Sequence, residues 1–337
     1  MKKTFKVISV VLTATIICLF GFCLVSCKDN SVEETTLRFA APEGTPALAI
    51  ARLPYDNKKI NGKNMEYAVV SPSNIAAEMS GAKADLIIMP VNAGANLIRM
   101  GAKYKLISVA VNGSLFMVGK TETPVAANIE NVIGKKIACI GKTGVPGLIF
   151  RYIMKENGVN IIESGTPNIE NNEILVQYVA NGNAAKTLIA NGSVDAAVVG
   201  EPAATIFKSA LGCNFEIDLQ QVYAECKNGI NDYPQAGLFI KEELAADKSF
   251  TDALFAALKN SKEWVMSNTS DVTDFCKTNL YQAANFPAPS IARCALNVER
   301  LTENDKAEII SFLESVSAKD AQNNSIDWNS LKELIFA

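Results

Sequence analysis

The chain has 337 residues, with 32 basic and 35 acidic side chains, a formal net charge of −3 and no histidine. The missing histidine excludes Ser-His-Asp and Cys-His catalysis, His-ligated zinc and imidazole-based pH sensing. The mildly acidic balance argues against nucleic acid as a partner, because phosphate recognition needs a basic surface.

The first 26 residues read as a lipoprotein signal. Lys2, Lys3 and Lys6 form the basic start, Val7 to Val25 carry no charge, and Leu24-Val25-Ser26-Cys27 puts a small residue before a cysteine that would be lipidated. The competing reading is a retained membrane helix, since the apolar stretch is nearly long enough for a bilayer core of about 30 Å. Removing Lys2, Lys3 and Lys6 lowers the basic count from 32 to 29 against 35 acids, which moves the net charge to about −6. Residues 27–36 are polar and acidic, as suits a solvated tether. The folded part should start near Leu37 and is long enough for two lobes.

Strands and helices then alternate. Leu37 to Ala41 is a short strand, and Pro42-Glu43-Gly44-Thr45-Pro46 turns into a helix with Thr45 as its N-cap. A strand at Glu66 to Val70 leads through Ser71-Pro72-Ser73-Asn74 into a helix that stops near Gly81. Asp85 precedes the strand Leu86 to Met89, Pro90 to Ala93 opens a helix ending near Gly101, and Leu106 to Val111 is a fourth strand. Apolar strands without alternation point to parallel strands covered on both faces.

The pattern restarts at the strand Lys136 to Ile140, followed by the turn Gly141 to Gly147 and the helix Leu148 to Asn157. Ile174 to Tyr178 is a strand, Ala184 to Ala190 a helix, and Asp195 leads into the strand Ala196 to Val199. Gly200-Glu201-Pro202 opens the helix Ala203 to Ala210, and Phe215 to Val222 reads as a further strand. The two halves echo one another. Asn74, Ala76-Ala77, Gly81, Asp85 and Ala93 parallel Asn183, Ala184-Ala185, Gly192, Asp195 and Ala203, with equal spacing from the aspartate to the second alanine.

Val111 to Val118 and Gln235 to Ile240 read as crossings between lobes. They give a first lobe of 37–118 plus 233–337 and a second of 119–232. The tail is helical at Thr251 to Met266 and Lys306 to Val316, and these helices should cover the first lobe. Cys139 reads as a buried hydrophobe. Cys213 with Cys226 and Cys276 with Cys294 are candidate disulfides, with connectivity left open by sequence.

The lipobox at Cys27, the Pro-Glu-Gly-Thr-Pro turn at 42–46, Asp85 to Pro90 followed by Ala93, Gly141-Lys142-Thr143-Gly144, and Asp195 to Pro202 together resemble substrate-binding lipoproteins of the NitT/TauT type, including SsuA/THI5-like proteins. The resemblance runs over most of residues 37–265. It implies an α/β, type II periplasmic-binding-protein-like fold with two doubly wound lobes joined by a hinge. It also implies service to ABC importers of nitrate, taurine, alkanesulfonates or thiamin-pyrimidine precursors. Eukaryotic THI5 relatives make a pyrimidine with an active-site histidine that this chain lacks, so a binding protein and not an enzyme is expected.

Ligands of open α/β sheets bind outside the carboxyl ends of the strands, where helix N-termini offer unpaired N–H groups. The corners are Gly44, Thr45 and Pro46, then Ser71, Ser73 and Asn74, then Pro90 and Asn92 from the first lobe. The second lobe supplies Lys142, Thr143 and Gly144, then Gly200 and Glu201, while Asn112 and Ser114 sit at the first crossing. Each has a plainer use: capping for Thr45 and Ser73, tight turns for the glycines, a solvated charge for Lys142 and a helix start for Glu201. Tyr178, Tyr233 and Phe207 are aromatic candidates for stacking or for core packing. No arginine falls at these corners, although bidentate Arg usually grips a fully ionised anion. A small organic solute is therefore as open as an anionic one.

The expected role is an extracytoplasmic, lipid-anchored solute-binding component of an ABC importer, working with permease and ATPase subunits as a monomer, with no cofactor and no metal. A lipid-anchored adhesion protein of the same fold is the alternative.

Overall fold

The apolar runs of this chain bury both of their faces. In the strand β4, Leu86–Pro90, Ile87 and Met89 point into one core while Leu86 and Ile88 point into another. In β10, Ala196–Gly200, Val198 faces the first of those cores and Ala197 and Val199 a third. Successive strand residues alternate sides, so a strand covered twice must be apolar throughout. The computed structural model describes residues 35–121, 128–227, 233–319 and 322–337. Those from Thr36 onward form one compact unit. The signal, Cys27 and all but the last residues of the tether lie outside the described residues. No helix among the described residues is long and apolar enough to cross a membrane.

Two six-stranded sheets carry the fold. The first contains β1 (Leu37–Pro42), β2 (Lys59–Ile60), β3 (Lys63–Val70), β4, β5 (Tyr104–Asn112) and β12 (Pro234–Lys241), in the order β2-β3-β1-β4-β12-β5. The second contains β6 (Leu115–Gly119), β7 (Lys136–Ile140), β8 (Asn160–Ile162), β9 (Glu173–Val179), β10 and β11 (Phe215–Asp218), in the order β8-β9-β7-β10-β6-β11. This is the expected two-lobed α/β fold, with one refinement. Neither sheet is wholly parallel, because β12 runs antiparallel to β4 and β5, and β6 antiparallel to β10 and β11. β12 and β6 each enter from the other sheet, while the short β2 makes a local antiparallel pair with β3.

The repeat seen in the sequence is a repeat of hydrogen bonds. Asp85 accepts from the Arg38 N–H and donates its own N–H to the Arg38 carbonyl, both at 2.8 Å. Asp195 makes the same pair of bonds with Lys136, again at 2.8 Å. Each aspartate therefore ties the start of the strand that follows it, β4 or β10, to the start of that strand's parallel neighbour, β1 or β7. At the other end of those strands, Glu43 N–H donates to Val70 O and Gly141 N–H to Val179 O, both at 3.0 Å.

The crossings are shorter than the extended runs suggested. The chain leaves the first sheet at Asn112, turns through Gly113 and Ser114, and Leu115 to Gly119 already pair in the second sheet. The return strand, Pro234 to Lys241, lies wholly in the first sheet. The expected strand Phe215 to Val222 stops at Asp218. The Asp218 side chain accepts from the Gln220 and Gln221 N–H groups and starts the helix Leu219–Cys226 instead. Gln220 then joins both crossings, its Oε1 accepting from Leu115 N–H at 2.7 Å and from the Tyr233 hydroxyl at 2.8 Å. Gly113 N–H donates to Tyr233 O between the two crossings.

The tail helices form at Lys248–Ser267 and Glu303–Val316. The former buries Phe250, Leu254 and Leu258 on the first sheet, as expected. The latter reaches further, since Ile309, Phe312 and Leu313 share a core with Phe150 and Ile153 of the second lobe. Neither disulfide forms. Cys139, Cys213, Cys226, Cys276 and Cys294 are all free thiols. Cys213 is buried among Phe116, Val118 and Phe207, whereas Cys226 ends a helix beside Asn157.

Candidate functional site in the crevice between the sheets

β1, β3, β4 and β5 end on one edge of the first sheet, and β7, β9, β10 and β11 on one edge of the second; the loops beyond these ends meet. The turn after β1 places Gly44 at the helix N-cap and Pro46 in the first turn, which leaves the Thr45 side chain uncommitted to capping. Its hydroxyl crosses to the second lobe and donates to Glu201 O at 2.7 Å, in a buried contact that also reaches Cys294 Sγ at 3.5 Å. Thr45 is therefore a bridge between lobes and not the helix cap that its place before proline suggested. After β4, Asn92 sits in the first turn of the helix Val91–Arg99 and is 5 % exposed. Its Nδ2 donates to Thr143 O at 3.1 Å, a second bridge.

Gly200 and Glu201 end β10 at the same seam. A Cβ on Gly200 would lie 3.3 Å from Ser114 O and 3.9 Å from Gln235 Nε2, so the absence of a side chain there allows the first crossing and the start of β12 to close in. Glu201 N–H donates to Ser114 O at 3.1 Å. The Glu201 carboxylate accepts from the Thr205 N–H and hydroxyl, which fixes the start of the helix Ala203–Leu211 as expected.

That carboxylate also meets a residue which sequence reasoning missed. Arg293, carried in by the turn Ala292–Cys294 of the tail, puts its Nε 2.7 Å from Glu201 Oε1, out of line for a hydrogen bond. Its two terminal nitrogens donate to Glu216 at 3.1 and 2.9 Å, and its guanidinium lies 3.9 Å over the Phe116 ring. The expectation of no arginine at the corners is thus overturned; Arg293 arrives from 92 residues beyond Glu201, the nearest corner residue in the chain. Burial pushes the Glu201 carboxyl above its usual range, against the bonds from Thr205 and the charge of Arg293. Burial pushes Glu216 the same way, but there Arg293 and Lys208 together outweigh it and hold the carboxyl below its usual range.

Asn112 and Ser114 line a cavity of about 340 Å³ with Phe116, Glu216, Asp218 and Arg293. Ser114 is 1 % exposed and holds a left-handed backbone with φ of 73°, unusual for a residue with a side chain. Among the described residues, the buried side-chain polar atoms without a hydrogen-bond partner are Asn92 Oδ1, Ser114 Oγ, Gln235 Oε1 and Arg293 Nε. All four lie along the seam between the sheets. Gln235 opens β12 next to the pairing of Ala236 with Pro90, close to Asn92.

The other expected positions are less involved. Ser71, Ser73 and Asn74 are exposed at the end of β3, with the two serine hydroxyls 3.0 Å apart. Thr143 is exposed and contributes its carbonyl, and Gly144 is the N-cap of the helix Val145–Glu156. Lys142 turns away to Glu163, 2.6 Å distant, and over the Tyr178 ring. Tyr233 and Phe207 are core residues; the Tyr233 hydroxyl is spent on Gln220.

The NMT1-like family matches residues 54–278. No curated protein matches the chain in sequence. Among solved structures, an ABC transporter from Parabacteroides distasonis is similar at 19 % identity with a TM-score of 0.68, covering 87 % of this chain and 97 % of that one. The ligand-binding component of an ABC-type import system from Staphylococcus aureus is similar at 12 % identity and a TM-score of 0.63, covering 90 % and 96 %. The periplasmic aliphatic sulphonate binding protein SsuA from Escherichia coli is similar at 13 % identity and a TM-score of 0.59, covering 83 % and 85 %. At these identities the likeness is one of fold, and it agrees with the resemblance carried by the sequence motifs. Matched over more than half of its length, the chain belongs to the NMT1-like family.

Proposed function

We propose that this chain is the solute-binding component of an ABC importer, lipid-anchored through Cys27 outside the cytoplasm, and that it carries a small solute to a permease without chemically changing it. The solute would sit in the crevice between the sheets, held by the corner residues Thr45, Asn92, Ser114, Gly200 and Glu201, with Arg293 at its side. One observation carries this reading: the buried polar atoms without partners are gathered along the seam between the lobes. Buried polar groups are nearly always bonded, so a seam lined with unpaired ones is built to be completed by something else. The direct bonds from Thr45 and Asn92 across the seam support a closed form, which a permease would recognise.

Native mass spectrometry of the freshly purified full chain tests this reading, together with thermal unfolding against a small-solute panel. A binding protein should retain a solute, or gain about 2.7 kcal/mol of stability at a hundred times its dissociation constant. An adhesion protein would show neither.

A further inference from the structure

Resting on that reading, we propose that the solute is a nitrogen compound presenting N–H donors, an amine, amidine or amide, and that Asn92, Ser114 and Gln235 are the groups that orient it. The orphaned atoms set the demand. Asn92 has its amide fixed by the bond from Nδ2 to Thr143 O, so the oxygen left over is an acceptor. Gln235 Oε1 is a second acceptor, and the Ser114 hydroxyl both accepts and donates. The one orphaned donor, Arg293 Nε, already faces a carboxylate oxygen at 2.7 Å. What the orphaned side-chain oxygens lack is hydrogens.

The charges agree. The cavity beside Ser114 carries Glu216 and Asp218 against Arg293, with Lys208 also paired to Glu216 and the buried Glu201 beside the guanidinium, so three carboxylates stand against two cations. The bidentate fork that would grip an oxyanion is already filled, because both terminal nitrogens of Arg293 are spent on Glu216. At these side chains a sulfonate or nitrate would meet amide oxygens and carboxylates where it needs donors, and an uncompensated buried acceptor costs binding. An N–H donor meets partners at each of these atoms.

The experiment is a thermal-unfolding comparison on the full chain with two sets of probes. Agmatine, putrescine and nicotinamide present N–H donors; nitrate, methanesulfonate and succinate present oxyanions. At least one of the first set should raise the unfolding midpoint by roughly 5 °C near a hundred times its dissociation constant, and none of the second set should. Two variants assign the groups. Gln235→Met keeps the shape and removes the acceptor, and Ser114→Gly removes the hydroxyl at a left-handed position that glycine occupies without strain. Each should weaken binding of the responding probe by about tenfold, with the unliganded midpoint kept or raised, which separates lost contacts from lost folding. Stabilisation by oxyanions alone, or unchanged affinity in both variants, overturns this inference and leaves solute capture standing. No response to any probe, with no co-purified solute, overturns both.

Discussion

Asp85 and Asp195 make the same two bonds in the two sheets, but with different backing. Asp85 is mostly buried and its second oxygen takes the Lys241 ammonium at 2.7 Å, whereas Asp195 is exposed. The same holds at the ends of the strands. The first lobe sends side chains across the seam, Thr45 and Asn92, while the second answers with main-chain carbonyls of Glu201 and Thr143. A repeated frame therefore carries unlike edges. The frame is set by where strands begin, and the edges are set by single residues at their ends, which are free to differ without disturbing the pairing.

That contrast can be broken by experiment. The largest effect is expected at the paired aspartates. Asp85→Ala should cost about 2–3 kcal/mol, since it removes charge-assisted bonds and strands Lys241, while Asp195→Ala should cost about 1 kcal/mol. Urea unfolding of both variants decides the point, and equal costs would mean that the buried backing of Asp85 contributes nothing.

A smaller effect separates the two acids that share Arg293. Glu201 has a raised carboxyl in the folded protein, so the folded state holds that proton more tightly than the unfolded chain does. Its contribution to stability is therefore lost as pH rises through the raised value and is regained below the ordinary carboxylate range, near 4.3. Glu216, held low, has the opposite sign and loses its contribution as pH falls. Glu201→Gln should consequently gain on the native protein as pH rises from 4 to 7, and Glu216→Gln should lose ground. Unfolding free energies measured across that range check both signs.

The smallest effect is expected at Lys142, half exposed and paired with an equally exposed Glu163. Lys142→Ala should change stability by less than about 0.5 kcal/mol and leave solute affinity unaltered. A tenfold loss of affinity would restore this lysine to the crevice.

The frame was readable because the features that build it are local. An aspartate before an apolar run, a glycine after a helix and a turn after a strand recur at matching spacing, so Asp85 and Asp195 could be paired by eye before their bonds were known. The strand at Phe215 is shorter than expected because a short apolar run looks alike in strand and helix, and Asp218 caps the helix that follows. The edges were half readable. Thr45, Asn92, Ser114, Gly200 and Glu201 stand at predicted corners and do converge. Gln235 opens a segment read as a crossing, yet as a polar residue near the start of a strand it does not stand out as a site residue. Arg293 gave no signal, lying in a tail turn between alanine and cysteine, and reaches the seam through tertiary packing alone.

Gln220 has a mechanical meaning. One amide oxygen holds both Leu115, just past the outgoing link, and Tyr233, just before β12, so these two points of the chain are fastened to one side chain. Two points fastened at one pin resist sliding past one another.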